Sequence, residues 1–143
     1  MADIQTVSAA FDLARVAWEA CVFLKKVKDA DRTSAEIYER ATRLNQVLSG
    51  LTLALQNREQ KGVAPHDDAD VESSRRIRRC IVASGFIMKE VESKVGGFEN
   101  NASGTPLLDR VKIAFRQPGI KRLQTDLDVR VQALQTELSI LQL

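Results

Sequence analysis

Aromatic residues, proline, glycine, cysteine and histidine are all scarce in this chain of 143 residues. Phe, Trp and Tyr together make up 5% of it, with three prolines, seven glycines, two cysteines and one histidine. Few prolines and glycines permit long uninterrupted helices. Scarce aromatics beside abundant aliphatic residues favour helix-on-helix packing over a β-sandwich. Cys21 and Cys80 each lie within an apolar helical pattern, which favours small buried hydrophobic residues over a disulfide or a reactive thiol.

The chain also lacks a strong charge bias and a long apolar run. Its formal net charge is +2, whereas dedicated nucleic-acid-binding domains carry a clearer basic excess, so no nucleic-acid partner is expected. No stretch reaches the roughly 18 apolar residues of a membrane-spanning helix. Asp12, Arg15 and Glu19 interrupt the first apolar segment, which argues against a secretory signal. We therefore expect a cytoplasmic protein.

Apolar residues recur at steps of three and four along most of the chain, a spacing typical of amphipathic helices. This pattern predicts an all-α fold, a bundle of four long helices with one extra short helix. The long helices are expected at about 3–28, 33–62, 73–95 and 120–143, and the short one begins at Thr105-Pro106. Thr33 with Glu36 fits a capping box, and residues 63–72 read as an exposed acidic loop.

Each long helix has an apolar stripe that should face a shared core. The last helix is the most regular, and its stripe cannot be stable alone in water; packing within the chain is favoured over self-association. The predicted stripes comprise Ile4, Val7, Phe11, Ala14, Trp18 and Cys21, widened by Val22 and Leu24; Ile37, Ala41, Leu44, Leu48, Leu51 and Leu55; Ile77, Cys80, Ile81, Ser84, Ile87, Met88 and Val91; and Ile120, Leu123, Leu127, Val131, Leu134, Leu138 and Leu141.

The chain length fits one domain with a real core. Residues 1–143 are therefore predicted to form a single helical bundle. The helical register continues to Leu143, from which we expect this domain to be part of a longer protein. Gly50 falls inside the second helix, where it is expected to allow a close helix contact.

Three features resemble one family. The chain opens with a hydrophobic helix directly after residues 1–3, and Arg79-Cys80-Ile81 is similar to a Leu-x-x-Cys element. Residues 110–115 (RVKIAF), a polar break and the Leu-rich 120–143 resemble an R-L-K-W-A-F ending followed by spaced leucines. On these grounds the chain resembles the HeLo, HeLo-like and SesA group, the N-terminal helical bundles of fungal STAND (NLR-like) proteins.

The resemblance implies a HeLo-like topology and a non-enzymatic signalling or effector domain of an immune or heterokaryon-incompatibility receptor. Such a domain would oligomerise on activation and trigger regulated cell death, and its first helix would reach the plasma membrane. Its expected partners are copies of itself or similar bundles, and an anionic membrane surface. The alternative is a protein-binding adaptor with no membrane activity, which the charged Asp12, Arg15 and Glu19 favour.

The first helix supplies the candidate membrane or partner face. This face comprises Ile4, Val7, Phe11 and Trp18. At rest the stripe is expected to be core, released later if another state offers it a partner. Lys25, Lys26 and Lys28 could attract anionic lipid, or simply complement the helix dipole.

A dense basic run marks the third helix. Arg75, Arg78 and Arg79 share one side of it and are the second set of candidate head-group or partner residues. Three interpretations stay open: weak pairing with the acidic residues just before them, attraction of anionic lipid head groups, and binding of a nucleic-acid backbone. The last is disfavoured because interleaved aromatic residues are missing.

No residue pattern indicates an enzyme, a metal site or a cofactor site, and no small-molecule substrate is expected. His66 lies in an acidic segment without the context of a catalytic base. With Asp67, Asp68 and Asp70 it lacks the glycine turn and final glutamate of a calcium loop. No phosphate-binding glycine motif is present.

Overall fold

The computed structural model describes the backbone of residues 4–60, 68–98 and 105–142, and side chains within 6–57, 72–98 and 107–142. All regular structure in these ranges is helical. The helices are α1 (Ile4–Val27), α2 (Arg32–Gln60), α3 (Asp68–Val95), α4 (Thr105–Phe115) and α5 (Ile120–Leu141). The predicted all-helical bundle of four long helices and a short one is confirmed for the described part of the chain.

The long helices form a ring in which each helix contacts two neighbours, in the order α1, α2, α5, α3. α1 and α3 are neighbours that run parallel. Near one end, Arg78 on α3 donates a hydrogen bond from Nε to Thr6 Oγ1 at 3.4 Å. Seven residues further along both helices, Leu13 lies beside Gly85. Because the contacting positions shift by the same number of residues in the same direction on both helices, α1 and α3 run parallel.

α2 and α5 are the second parallel pair. Glu36 accepts a hydrogen bond from Gln124 at 3.2 Å, and Arg40 is paired with Asp128 at 3.0 Å one turn further along both helices. A turn of only four residues joins α1 to α2, so these two neighbours are antiparallel. α4 packs across α3, α2 and α1 at one end of the ring, where α3 ends and α5 begins.

One hydrophobic core lies along the axis of this ring and receives side chains from all five helices. The stripe predicted for α2 is entirely buried, and that of α5 is buried from Ile120 to Leu134. On α3, Ile77, Ile81, Met88 and Val91 are buried as predicted. α5 therefore packs within the chain, as its pattern indicates.

Two helix starts differ from the prediction. α3 begins at Asp68, five residues before the expected start at Ser73. The acidic residues read as loop are compatible with the first turns of a helix, since negative charge stabilises a helix N-terminus. α2 is capped by Asp31, whose Oδ1 accepts a hydrogen bond from the Ser34 backbone N–H at 2.8 Å. This cap replaces the predicted capping box of Thr33 with Glu36.

Glycines end α3 as the sequence indicates. Gly96 and Gly97 have φ of 79° and 105°, a left-handed conformation that residues with a side chain rarely adopt. The N–H of Gly97 donates to the Glu92 carbonyl at 2.9 Å, and that of Gly96 donates to Ser93 at 3.2 Å. These bonds satisfy carbonyls at the helix end in a Schellman motif. The predicted cap at Gly62 lies outside the described residues.

The close contact expected at Gly50 is present. A Cβ added there would lie 3.0 Å from Leu138 Cδ2, so the absence of a side chain is what lets α2 and α5 approach. Leu138 is itself only partly buried. This pair fixes the separation of the two helices near their C-terminal ends.

Candidate functional site

The two large aromatic residues of the stripe predicted for α1 point away from the core, whereas Val7, Ala14 and Cys21 of the same stripe are partly buried against it. Phe11 is 46% exposed and Trp18 is 61% exposed, and Val22 is exposed as well. At 3.6 residues per turn these three lie within about 40° of one another around the helix. We refer to Phe11, Trp18 and Val22 as the α1 stripe. The expectation that Phe11 and Trp18 are buried at rest is wrong.

The buried face of α1 combines three alanines with larger apolar residues. Alanines bring the helix close to its neighbours, and larger residues fill the space beside them. Because α1 is apolar on most sides, its periodicity alone allows more than one face to point toward the core. The large aromatic residues then suggest the wrong face. The buried face comprises Ala10, Leu13, Ala17, Ala20, Phe23, Leu24 and Val27.

The other residues proposed for α1 have mixed positions. Ile4 begins the helix, and its side chain is outside the described ones. Val7 is partly buried against the core. Lys25 and Lys26 are exposed in the last turn. Lys28 lies just beyond the helix, with Nζ 5.6 Å from the centre of the Tyr38 ring. Its ammonium is thus engaged in a cation–π contact, unlike those of the exposed Lys25 and Lys26.

The predicted arginine cluster does form one surface. Arg75, Arg78 and Arg79 line a depression of about 450 Å³, which we call the α3 shelf. Arg75 forms an exposed ion pair with Glu72 at 3.3 Å, part of the pairing that the sequence suggested. Arg78 is tied to α1 through Thr6. The remaining lining of the shelf is apolar and comprises Val82, Ala83 and Phe86.

A second depression runs between α1 and α3, and the sequence reasoning missed it. This α1–α3 groove has a volume of about 370 Å³. Val82 and Phe86 belong to both groove and shelf, so the two surfaces are continuous. Val82 is 48% exposed and Phe86 is 65% exposed. Val82 and Phe86 lie outside the inner stripe of α3, and their spacing of four residues places them on the same side of the helix. This spacing is a sequence signal that could have revealed an outward apolar face. Other groove residues include Asp12, Leu13, Arg15, Gly85 and Lys89.

The charge around the groove and shelf is predominantly basic. Five basic side chains and a single acidic one, Asp12, line the two depressions. Arg79 and Lys89 are exposed, and neither forms an ion pair with the part of the chain that the structure describes. Their charge is therefore available to an anionic partner.

The fourth arginine of the cluster has a different role. Arg76 points toward α5, where its Nε donates to Glu137 Oε1 at 2.8 Å. The Glu137 side chain is buried, and its second oxygen has no hydrogen-bond partner among the described residues. Hydrogen bonding to Glu137 raises the pKa of Arg76. This pair links α3 to α5 and lies apart from the shelf.

Both cysteines are free and half-buried. Burial raises the pKa of the Cys21 thiol, with an opposing effect of the Thr42 hydroxyl. Burial likewise raises the pKa of Cys80, an effect that nearby Arg130 opposes. A raised pKa keeps a thiol protonated and slow to react, which agrees with the prediction of small buried hydrophobic residues.

No group of three or more His, Cys, Asp or Glu residues in the ranges with described side chains is arranged to hold a metal ion. The segment with His66, Asp67, Asp68 and Asp70 lies outside the described side chains. Among the described helices, none is long and apolar enough to cross a membrane.

Comparisons with protein-family models, curated proteins and solved structures find no match to this chain. The site is therefore defined by geometry alone, and it consists of the α1 stripe, the α1–α3 groove and the adjoining α3 shelf.

Proposed function

We propose that this chain is a non-enzymatic signalling domain at the front of a fungal NLR-like receptor, with a HeLo-like helix arrangement. It acts by oligomerising and by applying the α1 stripe to an anionic membrane or to a similar bundle, and so triggers regulated cell death. The exposure of Phe11 and Trp18 is the observation that carries this proposal. The resemblance of residues 110–143 to the family ending supports the assignment to that receptor class.

The α1 stripe has the composition of a membrane-docking face. Trp and Phe place apolar area at an interface between water and a less polar phase. Lys25 and Lys26 lie at the C-terminal end of the same helix, where each could contribute about 1 kcal/mol near an anionic surface. Because Phe11 and Trp18 are already exposed, docking would not require the bundle to open.

Flotation with phosphatidylserine-containing vesicles tests the proposal. Trp18 is the only tryptophan in the chain, so its fluorescence reports directly on the stripe. We expect the domain, forced to oligomerise by a fused trimeric coiled coil, to float at low salt with a blue shift of Trp18 emission. Phe11→Ser should lower the floated fraction, whereas Leu53→Ser, a matched change at an exposed apolar residue of α2, should leave it unchanged.

The second candidate function is a protein-binding adaptor that never meets lipid. Exposed Asp12 and Arg15 favour it, because they place charges of both signs beside the stripe. The same experiment separates the two functions. Absence of vesicle binding by the forced oligomer at low salt would refute membrane docking and leave the adaptor.

A further inference from the structure

Gly85 lies in the middle of α3, where glycine destabilises a helix relative to alanine. Internal packing does not require this glycine. A Cβ added there would lie 3.9 Å from Leu13 Cδ1, an ordinary van der Waals distance. Gly50 differs, since its added Cβ would crowd Leu138 at 3.0 Å. What Gly85 does provide is depth in the α1–α3 groove, which it helps to line.

The groove has the apolar surface and the charges of a peptide-binding site. Phe86 and Val82 offer exposed apolar area beside Gly85. Lys89 lines the groove on one side of this apolar centre, and Arg79 lies on the other side, in the adjoining α3 shelf, ten residues earlier along α3. At 1.5 Å per residue they are separated by about 15 Å along the helix axis.

We propose that the α1–α3 groove binds an acidic amphipathic α-helix of a partner protein. Apolar side chains of the partner enter the groove over Gly85 and contact Phe86, which is the helix-in-groove mode of recognition. Acidic residues about ten positions apart on the partner pair with Arg79 and Lys89. This inference does not depend on whether the α1 stripe meets lipid.

The shape of the site favours a helix over a bilayer. A concave groove between two helices accepts the convex ridge of a third, whereas a docking face for a bilayer projects outward, as the α1 stripe does. α5 of a second copy of this chain is a poor occupant. The exposed apolar Val129 on α5 is flanked by Arg130 and by Asp128, and Asp128 is already paired with Arg40.

The test is fluorescence anisotropy with the whole chain and a labelled model helix, without lipid. The probe is a designed peptide of about 18 residues, some 27 Å of helix, with a leucine stripe and flanking glutamates. A second peptide has lysine in place of every glutamate. We expect the acidic peptide to bind about tenfold more tightly than the basic one.

Gly85→Ala separates binding from folding. The variant should raise the thermal unfolding midpoint by about 3 °C and yet weaken acidic-peptide binding at least about threefold, because the methyl group makes the groove shallower. If the glycine served internal packing, the midpoint would fall instead. Lys89→Glu should weaken binding more than Lys121→Glu, a matched reversal at an exposed position on α5.

Five results would overturn the proposal. Four of them are no saturable binding of the acidic peptide up to about 1 mM, equal affinities for the two peptides, a lower midpoint or unchanged binding in Gly85→Ala, and equal effects of the two lysine reversals. A fifth is loss of vesicle flotation in Phe86→Ser with peptide binding retained, which would assign the groove to a membrane. Failure of flotation in the unmodified chain bears only on the α1 stripe.

Discussion

Two phenylalanines on one helix provide a direct measure of which face of α1 stabilises the fold. Phe23 is 1% exposed, with its ring centre 5.5 Å from that of Phe98. Phe11, twelve residues earlier, is 46% exposed. Truncating each to alanine removes the same atoms from the same helix, so the difference between the two variants reports burial alone.

The expected losses differ clearly. Full burial of a phenylalanine covers about 150–200 Å², of which Phe11 covers roughly half. At about 25 cal/mol per Å² this corresponds to about 2 kcal/mol, an upper value because denatured chains already bury some of that area. Water fills the space left by Phe11→Ala. Phe23→Ala removes a buried ring and leaves a cavity, so we expect it to lower the free energy of unfolding by about 3–5 kcal/mol.

Urea denaturation followed by far-UV circular dichroism measures both losses. If Phe23→Ala does not fold, Phe23→Leu and Phe11→Leu give the same comparison with smaller changes. An equal loss in the two variants, or a larger one at Phe11, would mean that the face assigned to solvent is the core of the bundle. That result would also remove the basis for the α1 stripe as a docking surface.

Three further predictions concern contacts within the bundle. Gly50→Leu should lower the free energy of unfolding by about 1–3 kcal/mol, and Leu138→Ala should cost less in that background than alone; additive losses in the double-mutant cycle would contradict the contact. Because burial raises the pKa of Cys21 in the folded state, the unfolded thiol ionises first. Stability should therefore fall as pH rises from about 8.5 through the higher folded pKa, and Cys21→Ala should reduce this fall, as pH-dependent urea titrations would reveal. Arg76→Leu should destabilise the fold by leaving buried Glu137 unpaired, and adding Glu137→Leu should restore part of the loss; thermal unfolding without such recovery would argue against the pair.

Helix type and core were predictable wherever one face is clearly apolar. On α2 the residues between the members of the apolar stripe from Ile37 to Leu55 are mostly polar, so only one face of the helix can point toward the core. The roles of Gly50 and of the glycines after α3 could also be predicted, because a glycine at such a position usually indicates a close contact between helices or a left-handed turn.

The orientation of α1 could not be obtained in the same way. Its apolar residues surround the helix, and burial depends on which neighbours approach. Ala10, Ala17 and Ala20 are buried because small side chains let α2 and α3 come close, a property of the assembled bundle. Propensity and periodicity describe one helix at a time and contain no information about this choice.

The candidate site was only partly foreseeable for a related reason. Arg75, Arg78 and Arg79 share a side of α3 by spacing alone, so their surface could be predicted. The groove could not, because it needs the parallel pairing of α1 with α3, which brings Gly85 beside Leu13. Neighbours in space that are some seventy residues apart in the chain leave no local signal.

The ring order has a consequence for how the chain is made. α5 follows the other four described helices along the chain and leaves a ribosome after them, yet it packs between α2 and α3, whose other neighbour in the ring is α1. Until α5 is present, the sides of α2 and α3 that contact it are uncovered. The bundle is thus complete only when α5 has been synthesised. A nascent chain stalled before α5 would expose an apolar surface to chaperones.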